Sequence, residues 1–233
     1  ALRARILEEA KAPLRSDMAQ RLTDYDRMFP LGDPPDYEPA QSKSFGAQAA
    51  REGRDPRDLI YDYMIEGDGR NFIFAPFANY AAYNLDCCRE MMQSPHTLIG
   101  LGDGGAHVGL ISDGSYPTYL LAHWGRDRAA GRLDVSWLVK RHTADNARAV
   151  GLQDRGQVAP GFKADLNVID FDRLRVEAPV MKWDLPAGGK RLLQKATGYR
   201  ATVVSGAVTY RDGEATGALP GRLVRGAQGA PRA

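Results

Sequence analysis

Thr97-Leu98-Ile99-Gly100-Leu101-Gly102-Asp103-Gly104-Gly105-Ala106-His107 is the stretch on which the reading of this chain turns. Its first five residues are apolar or small, and the run stops at once on Gly102-Asp103-Gly104-Gly105. A short apolar run bounded by glycines predicts a buried strand. A carboxylate just past a buried parallel strand falls at the carboxyl end of the sheet, where βα folds place their active sites. Flanking glycines let backbone and ligand approach closely. Asp103 is therefore a candidate for binding a divalent metal or deprotonating a water. The alternative is a plain turn or helix cap, because Asp-Gly is a common turn pair. His107 is a candidate metal ligand, substrate contact or satisfied loop histidine.

Upstream, residues 1–12 have helical composition, with Leu2, Ile6 and Leu7 on one face and Pro13 closing the run. Asp55-Pro56 predicts a helix start, since Asp caps well and Pro fits the first turn. Leu59, Ile60, Tyr63 and Met64 give that helix an apolar face, and residues 71–75 form a compact strand candidate. Residues 85–93 read as a helix in which Cys87 and Cys88 are expected to pack in the core. Downstream, residues 116–124, 135–141 and 146–150 are predicted helical, with Asp134 and Asp145 as caps. Apolar strands alternating with helices up to residue 152 imply parallel βα units.

Beyond residue 152 the pattern changes. Residues 158–161 read as a turn, 164–170 alternate as a strand, and 201–210 form a hairpin around Ser205-Gly206. The domain reading is thus 1–152 for the βα units and 153–233 for a small β-rich domain.

Hydrophobic residues make up 43% of the 233 and charged residues 26%, with a net charge of +2. Those values exclude collagen-like, coiled-coil and disordered classes. So balanced a charge gives no electrostatic reason to expect nucleic acid or anionic lipid as a partner. No apolar run reaches the roughly 18 residues of a membrane helix. Adjacent Cys87 and Cys88 cannot staple distant segments, so a reduced, cytoplasmic setting is expected. Gly102-x-Gly104 lacks the third glycine and distal acid of a dinucleotide fingerprint. No paired His or Cys has zinc-ligand spacing, and His96, His123 and His142 read as structural.

At residues 100–107 the sequence resembles the metal-dependent amidohydrolase superfamily, in its N-acyl-D-amino-acid deacylase (D-aminoacylase) branch. Gly100-Leu101-Gly102-Asp103-Gly104-Gly105-Ala106-His107 is similar to that branch's GxSDxGAH end of the eighth barrel strand. Asp154-Arg155-Gly156, followed by residues 160–170 (PGFKADLNVID), resembles the superfamily's return into its small β-domain. Val203-Val204-Ser205-Gly206 and Thr216-Gly217-Ala218-Leu219-Pro220-Gly221-Arg222 resemble the family's ending, and residues 184–188 fit the same branch.

The resemblance implies an α/β fold: the carboxyl-terminal portion of a TIM-like (β/α)8 barrel followed by part of a small β-sandwich. It implies hydrolysis of a C–N (amide) bond with one or two zinc ions, which lower the pKa of a bound water toward about 7. Asp103 matches the carboxylate that acts as general base and then general acid, with a possible metal contact. His107 matches a substrate-lining position. The family's remaining ligands, His-x-His among them, would lie upstream of Ala1. The expected partners are therefore a small-molecule amide and a missing amino-terminal half or partner chain, in a homo- or hetero-oligomer. The branch's substrate-gripping arginine has no counterpart in Ser112-Asp113-Gly114-Ser115-Tyr116-Pro117. A cyclic amide substrate and a non-catalytic relative keeping the fold are accordingly the alternatives.

Overall fold

The computed structural model describes every residue except 14–19, 21, 22, 101, 103, 104, 106, 232 and 233. It divides into two compact units, Ala1–Met91 and Met92–Ala233.

In the first unit, α1 (Leu2–Glu9) buries none of its residues. Its predicted apolar face is open, with Leu2 60% exposed, and Arg3 ties the helix down through Asp58 and Asp62 at 2.8 and 3.0 Å. Helix α2 (Phe45–Glu52) starts on Ser44, whose hydroxyl accepts from the Ala47 amide, and ends on left-handed Gly53. Helix α3 (Pro56–Ile65) starts where the sequence predicts: the Asp55 carboxylate accepts from the Arg57 amide, with Pro56 in the first turn. Met28, Phe45, Ala49 and Leu59 form the buried cluster that joins the two helices. The predicted strand at 71–75 shrinks to β2 (Ile73–Phe74), paired antiparallel with β1 (Phe29–Pro30). Fully buried Phe29 meets Tyr80 edge-on at 6.2 Å, and the Tyr80 hydroxyl donates to the Pro39 carbonyl at 2.6 Å.

Helix α4 (Asp86–Gln93) forms as expected but buries none of its residues. Cys87 is exposed and Cys88 half-buried, neither bridged, and the Cys87 thiol donates to the Asn79 carbonyl at 3.2 Å. The expected core role of these cysteines is corrected: the helix packs too little surface to bury them.

In the second unit, α5 (Tyr116–Tyr119) runs directly into a π-helix over Leu120–Asp127 that buries Leu120, Ala122 and Trp124. Helix α6 (Val135–His142) starts on Asp134, whose carboxylate accepts from the Trp137 amide, and buries Leu138 completely. Helix α7 (Ala144–Ala149) starts after Thr143 rather than on Asp145. Asp145 instead lies in its first turn, where Lys140, Arg141 and Arg148 all reach its carboxylate. Those three cations draw the side chain away from the cap role that the sequence suggested.

Strands β3 (Leu166–Ile169), β4 (Arg175–Val176), β5 (Val180–Leu185), β6 (Gly189–Leu193), β7 (Ala196–Thr197), β8 (Tyr199–Val204), β9 (Ala207–Arg211) and β10 (Glu214–Ala215) follow. They form a four-stranded sheet in the order β10-β9-β8-β3 and the pairs β4-β7 and β5-β6. The predicted hairpin turn is present, Ser205 and Gly206 both having positive φ, at 50° and 82°. That backbone matches the twist of the flanking strands.

Two expectations at the βα end change. Residues 97–100 lie outside any strand, and every named strand pair among the described residues is antiparallel. Parallel contact there is limited to the isolated bridge between Leu152 and Gln228. The carbonyls of Thr97 and Ile99 accept side-chain donors from α6 and α7. The apolar run is thus held by helices rather than by a ladder.

Candidate active site

The site is built around the end of that run. Ile99 is buried at 7% exposure. The Asn146 amide group, from α7, donates to the Ile99 carbonyl at 2.5 Å and to the His142 carbonyl at 3.3 Å. One guanidinium nitrogen of Arg141 is shared among the carbonyls of Met92, Ser94 and Thr97 at 3.2, 3.1 and 2.6 Å. Half-buried carbonyls outside a ladder need such partners.

Gly102 leaves no room for a side chain. A Cβ there would lie 2.5 Å from Tyr116 Cδ1 and 2.8 Å from the Asp113 carbonyl. The Tyr116 ring, at the start of α5, meets the His142 imidazole edge-on at 5.4 Å, and burial pushes its phenol above the ordinary tyrosine range. His142 Nδ1 and Asn146 Oδ1 are buried with no hydrogen-bond partner among the described residues. In the sequence His142 reads as structural, and Tyr116, Arg141 and Asn146 taken singly carry no mark of a functional role. The available signal was His142 and Asn146 four residues apart, polar side chains returning to one side of an otherwise small-residue segment.

Asp103 itself lies outside the described residues. His107 is exposed, and its φ of 48° is left-handed. Its carbonyl accepts from the amides of Leu110 and Ile111 at 2.8 and 3.1 Å, so its backbone closes a turn and its imidazole faces outward. Strand β6 backs this turn: the Leu192 amide donates to the Val108 carbonyl at 2.7 Å. Ser115 and Gln194 hydrogen-bond side chain to side chain, and the Thr118 and Tyr199 hydroxyls lie 2.9 Å apart. The β-rich segment thus holds Val108, Ser115 and Thr118, which follow Asp103 in sequence.

Among the described residues no three of His, Cys, Asp or Glu converge as a metal centre would require. Those residues alone therefore do not fit a resident zinc, and no catalytic step is routed through one. No helix among them is long and apolar enough to cross a membrane.

A 5-methylthioadenosine/S-adenosylhomocysteine deaminase from Desulfitobacterium hafniense is 31% identical over 104 residues, 40% of this chain and 24% of the relative. An imidazolonepropionase from Paracoccus denitrificans is 32% identical over 157 residues, 63% of this chain and 38% of the relative. The match therefore spans about a quarter to two fifths of these relatives' own length. A crystal structure of D-aminoacylase, described as defining a novel subset of amidohydrolases, aligns with 82% of this chain and 36% of its own. The identity is 20% and the TM-score 0.43. The amidohydrolase family profile matches residues 62–210, well over half of the chain and inclusive of both the Asp103 loop and strands β3 to β8. On that match, the chain belongs to the amidohydrolase family.

Proposed function

We propose that this chain carries the proton-transfer carboxylate of a hydrolase acting on non-peptide C–N bonds, and that Asp103 is that group. The observation that carries it is Gly102, the residue before Asp103 in sequence, which lies inside the family-matched residues and packs so closely on Tyr116 that no other residue can replace it without displacing its neighbours. Asp103 takes a proton from the attacking water as the C–O bond forms. It returns a proton to the nitrogen as the C–N bond breaks, leaving an acid and an amine. His107, exposed on the turn that follows, contacts the substrate.

In this reading residues 1–152 supply the last βα units of a TIM-like barrel and 153–233 part of the small β-domain. The rest of the barrel comes from a further segment or partner chain. Zinc is the proposed metal, one or two ions, with Asp103 as a possible contact and the other ligands supplied from outside this chain. The proposed substrates are N-acyl-D-amino acids or, given the missing arginine, a cyclic amide. Two unbridged cysteines suit a reducing cytoplasm.

The test uses the complete protein and a panel of N-acyl-D- and N-acyl-L-amino acids and cyclic amides. Asp103→Asn should lower turnover by about 10²- to 10⁴-fold, the range of general acid–base contributions, while leaving metal content largely intact. Near-normal turnover in that variant overturns the assignment. Complete protein that neither binds zinc nor hydrolyses any member of the panel is instead a non-catalytic relative.

A further inference from the structure

We propose that Cys87, Cys88 and Met91 form a three-sulfur site for a soft monovalent cation, Cu(I), on helix α4. The proposal does not depend on the reading of Asp103 given above, and all three residues belong to the first compact unit.

Cys87-Cys88-Arg89-Glu90-Met91 places both of the chain's cysteines and one of its six methionines within five residues of one helix. At 3.6 residues per turn, Met91 falls about 40° around the axis from Cys87 and about 60° from Cys88, so it lies between them. Residues three and four apart are surface neighbours, with about 5–6 Å between Cβ atoms. A long helical side chain leans toward the N-terminus and covers the turn before its own Cα. The Met91 thioether, on three rotatable bonds, therefore reaches back over the two thiols.

The ordinary reading of such residues is an apolar face packed on a core. Helix α4 does not pack them that way: it buries none of its residues, Cys87 is exposed and Met91 is 45% exposed. The group this helix shields from solvent is instead Arg89 Nε, about 200° around the axis from Cys87. Neither thiol is bridged, so both sulfurs are chemically available.

Thiolate and thioether are soft donors, the combination that selects Cu(I). As Cu(I) binds, each thiol gives up its proton to solvent and its sulfur forms a Cu–S bond. The Met91 sulfur donates a lone pair and loses no proton, and copper keeps its oxidation state throughout. The Cys87 thiol first releases the Asn79 carbonyl, to which it donates at 3.2 Å; a thiol is a weak donor, so little is lost. A divalent zinc ion would find only the two thiolates of its usual four ligands here. Because the third donor is a thioether, the site is compatible with the lack of three converging His, Cys, Asp or Glu side chains among the described residues.

The experiment titrates the complete protein, under argon, with Cu(I) buffered by a chromogenic Cu(I) chelator. The parent should take up one equivalent more than the Cys87→Ser/Cys88→Ser double variant, so that copper held elsewhere cancels in the difference. That equivalent should carry a thiolate-to-copper charge-transfer band in the ultraviolet, absent from the double variant. Cys87→Ser alone, a one-atom change at an exposed position, should also lose it while the circular dichroism spectrum stays that of the parent. Met91→Leu should retain the equivalent but bind it about 10- to 100-fold more weakly, the scale on which lost support at a metal site is felt. Equal Cu(I) uptake by the parent and the double variant overturns the proposal. Unaltered affinity in Met91→Leu overturns the three-sulfur site, since the thiols would then bind alone. Excess Zn(II) should leave the Cu(I) in place, and its displacement overturns the choice of ion.

Discussion

Residues 97–100 and 201–204 carry a similar sequence signal, a short, largely apolar stretch that runs into glycine, and reach opposite outcomes. The second joins the β8-β9 hairpin, Val203 opposite Val208 and Val204 opposite Ala207. Residues 97–100 stay outside any strand. The hairpin brings its partner with it, across a two-residue turn whose loop closure costs little. The run leading to Asp103 has no neighbour close in sequence, and its carbonyls go to Arg141 and Asn146, more than forty residues away. Of that run Ile99 is buried while Leu98 stays 55% exposed, so the apolar run alone does not secure even burial. Whether it joins a ladder depends on what lies beside it.

Removing the distant donors should break the difference most. Arg141→Ala strips the carbonyls of Met92, Ser94 and Thr97 of a shared charged donor and leaves Asp145 with two of its three cations. Chemical denaturation should show a loss of about 3 kcal/mol, in line with unpairing charged hydrogen bonds in a largely buried place. Arg141→Lys should recover less than half, because one ammonium cannot span the same carbonyls. A loss below about 0.5 kcal/mol, typical of an ordinary surface substitution, would show that these contacts do not hold the segment.

Gly102→Ala attacks the same segment from the opposite side. Its methyl would sit 2.5 Å from Tyr116 Cδ1 and 2.8 Å from the Asp113 carbonyl, so α5 or the loop must move. Overpacking of this kind costs about 2 kcal/mol. Tyr116→Ala in the same chain should recover only part of it, since the Asp113 carbonyl remains. Full recovery would locate the conflict in the ring alone.

The same contrast explains what could be read from the chain beforehand. The Asp55-Pro56 start of α3, the Asp134 start of α6 and the Ser205-Gly206 turn are local devices, each written within about four residues, and each forms. Asp145 looked like the same device and is not one, because Lys140, Arg141 and Arg148 compete for its carboxylate across a helix boundary. Asp103 stands out in the sequence as a candidate because a glycine-flanked carboxylate after an apolar run is a pattern in one segment. Arg141, Asn146 and Tyr116 do not, since nothing local marks a side chain that serves a distant backbone. Cys87 and Cys88 show the same limit from the other direction: an apolar helix face predicts burial only if another surface arrives to cover it.

On the hairpin side the effects should be smaller and should stay local. Gly206 has φ of 82° and nothing within 4 Å of a Cβ, so Gly206→Ala meets strain but no clash. The left-handed conformation costs an L-residue about 1 kcal/mol. Thermal denaturation should register that loss, with amide exchange altered in β8 and β9 and unaltered at 97–102. Altered exchange at 97–102 would mean that the two regions are coupled, and the contrast drawn between them would fail.

The smallest effect expected is a dependence on pH centred on Asp145. Hydrogen bonding from Lys140, with Arg141 adding its charge, holds its carboxyl below the ordinary aspartate range. A carboxyl whose folded pKa is depressed contributes stability above its unfolded value of about 3.9, and loses it as pH falls through the folded value. The stability gap between the parent and Asp145→Asn should therefore be constant from pH 7 to about 5 and close progressively below about pH 4. Because Arg141 is one of the groups Asp145 holds, the protection factors of amides at 97–100, which allow for the slower intrinsic exchange in acid, should fall over the same acid window in the parent, and already be low at pH 7 in Asp145→Asn. A gap that persists unchanged at pH 2.5 would mean that the carboxylate's charge does not support Arg141. The guanidinium would then be fixed by its carbonyl partners alone, so that the clamp on residues 97–102 would not depend on pH in this range.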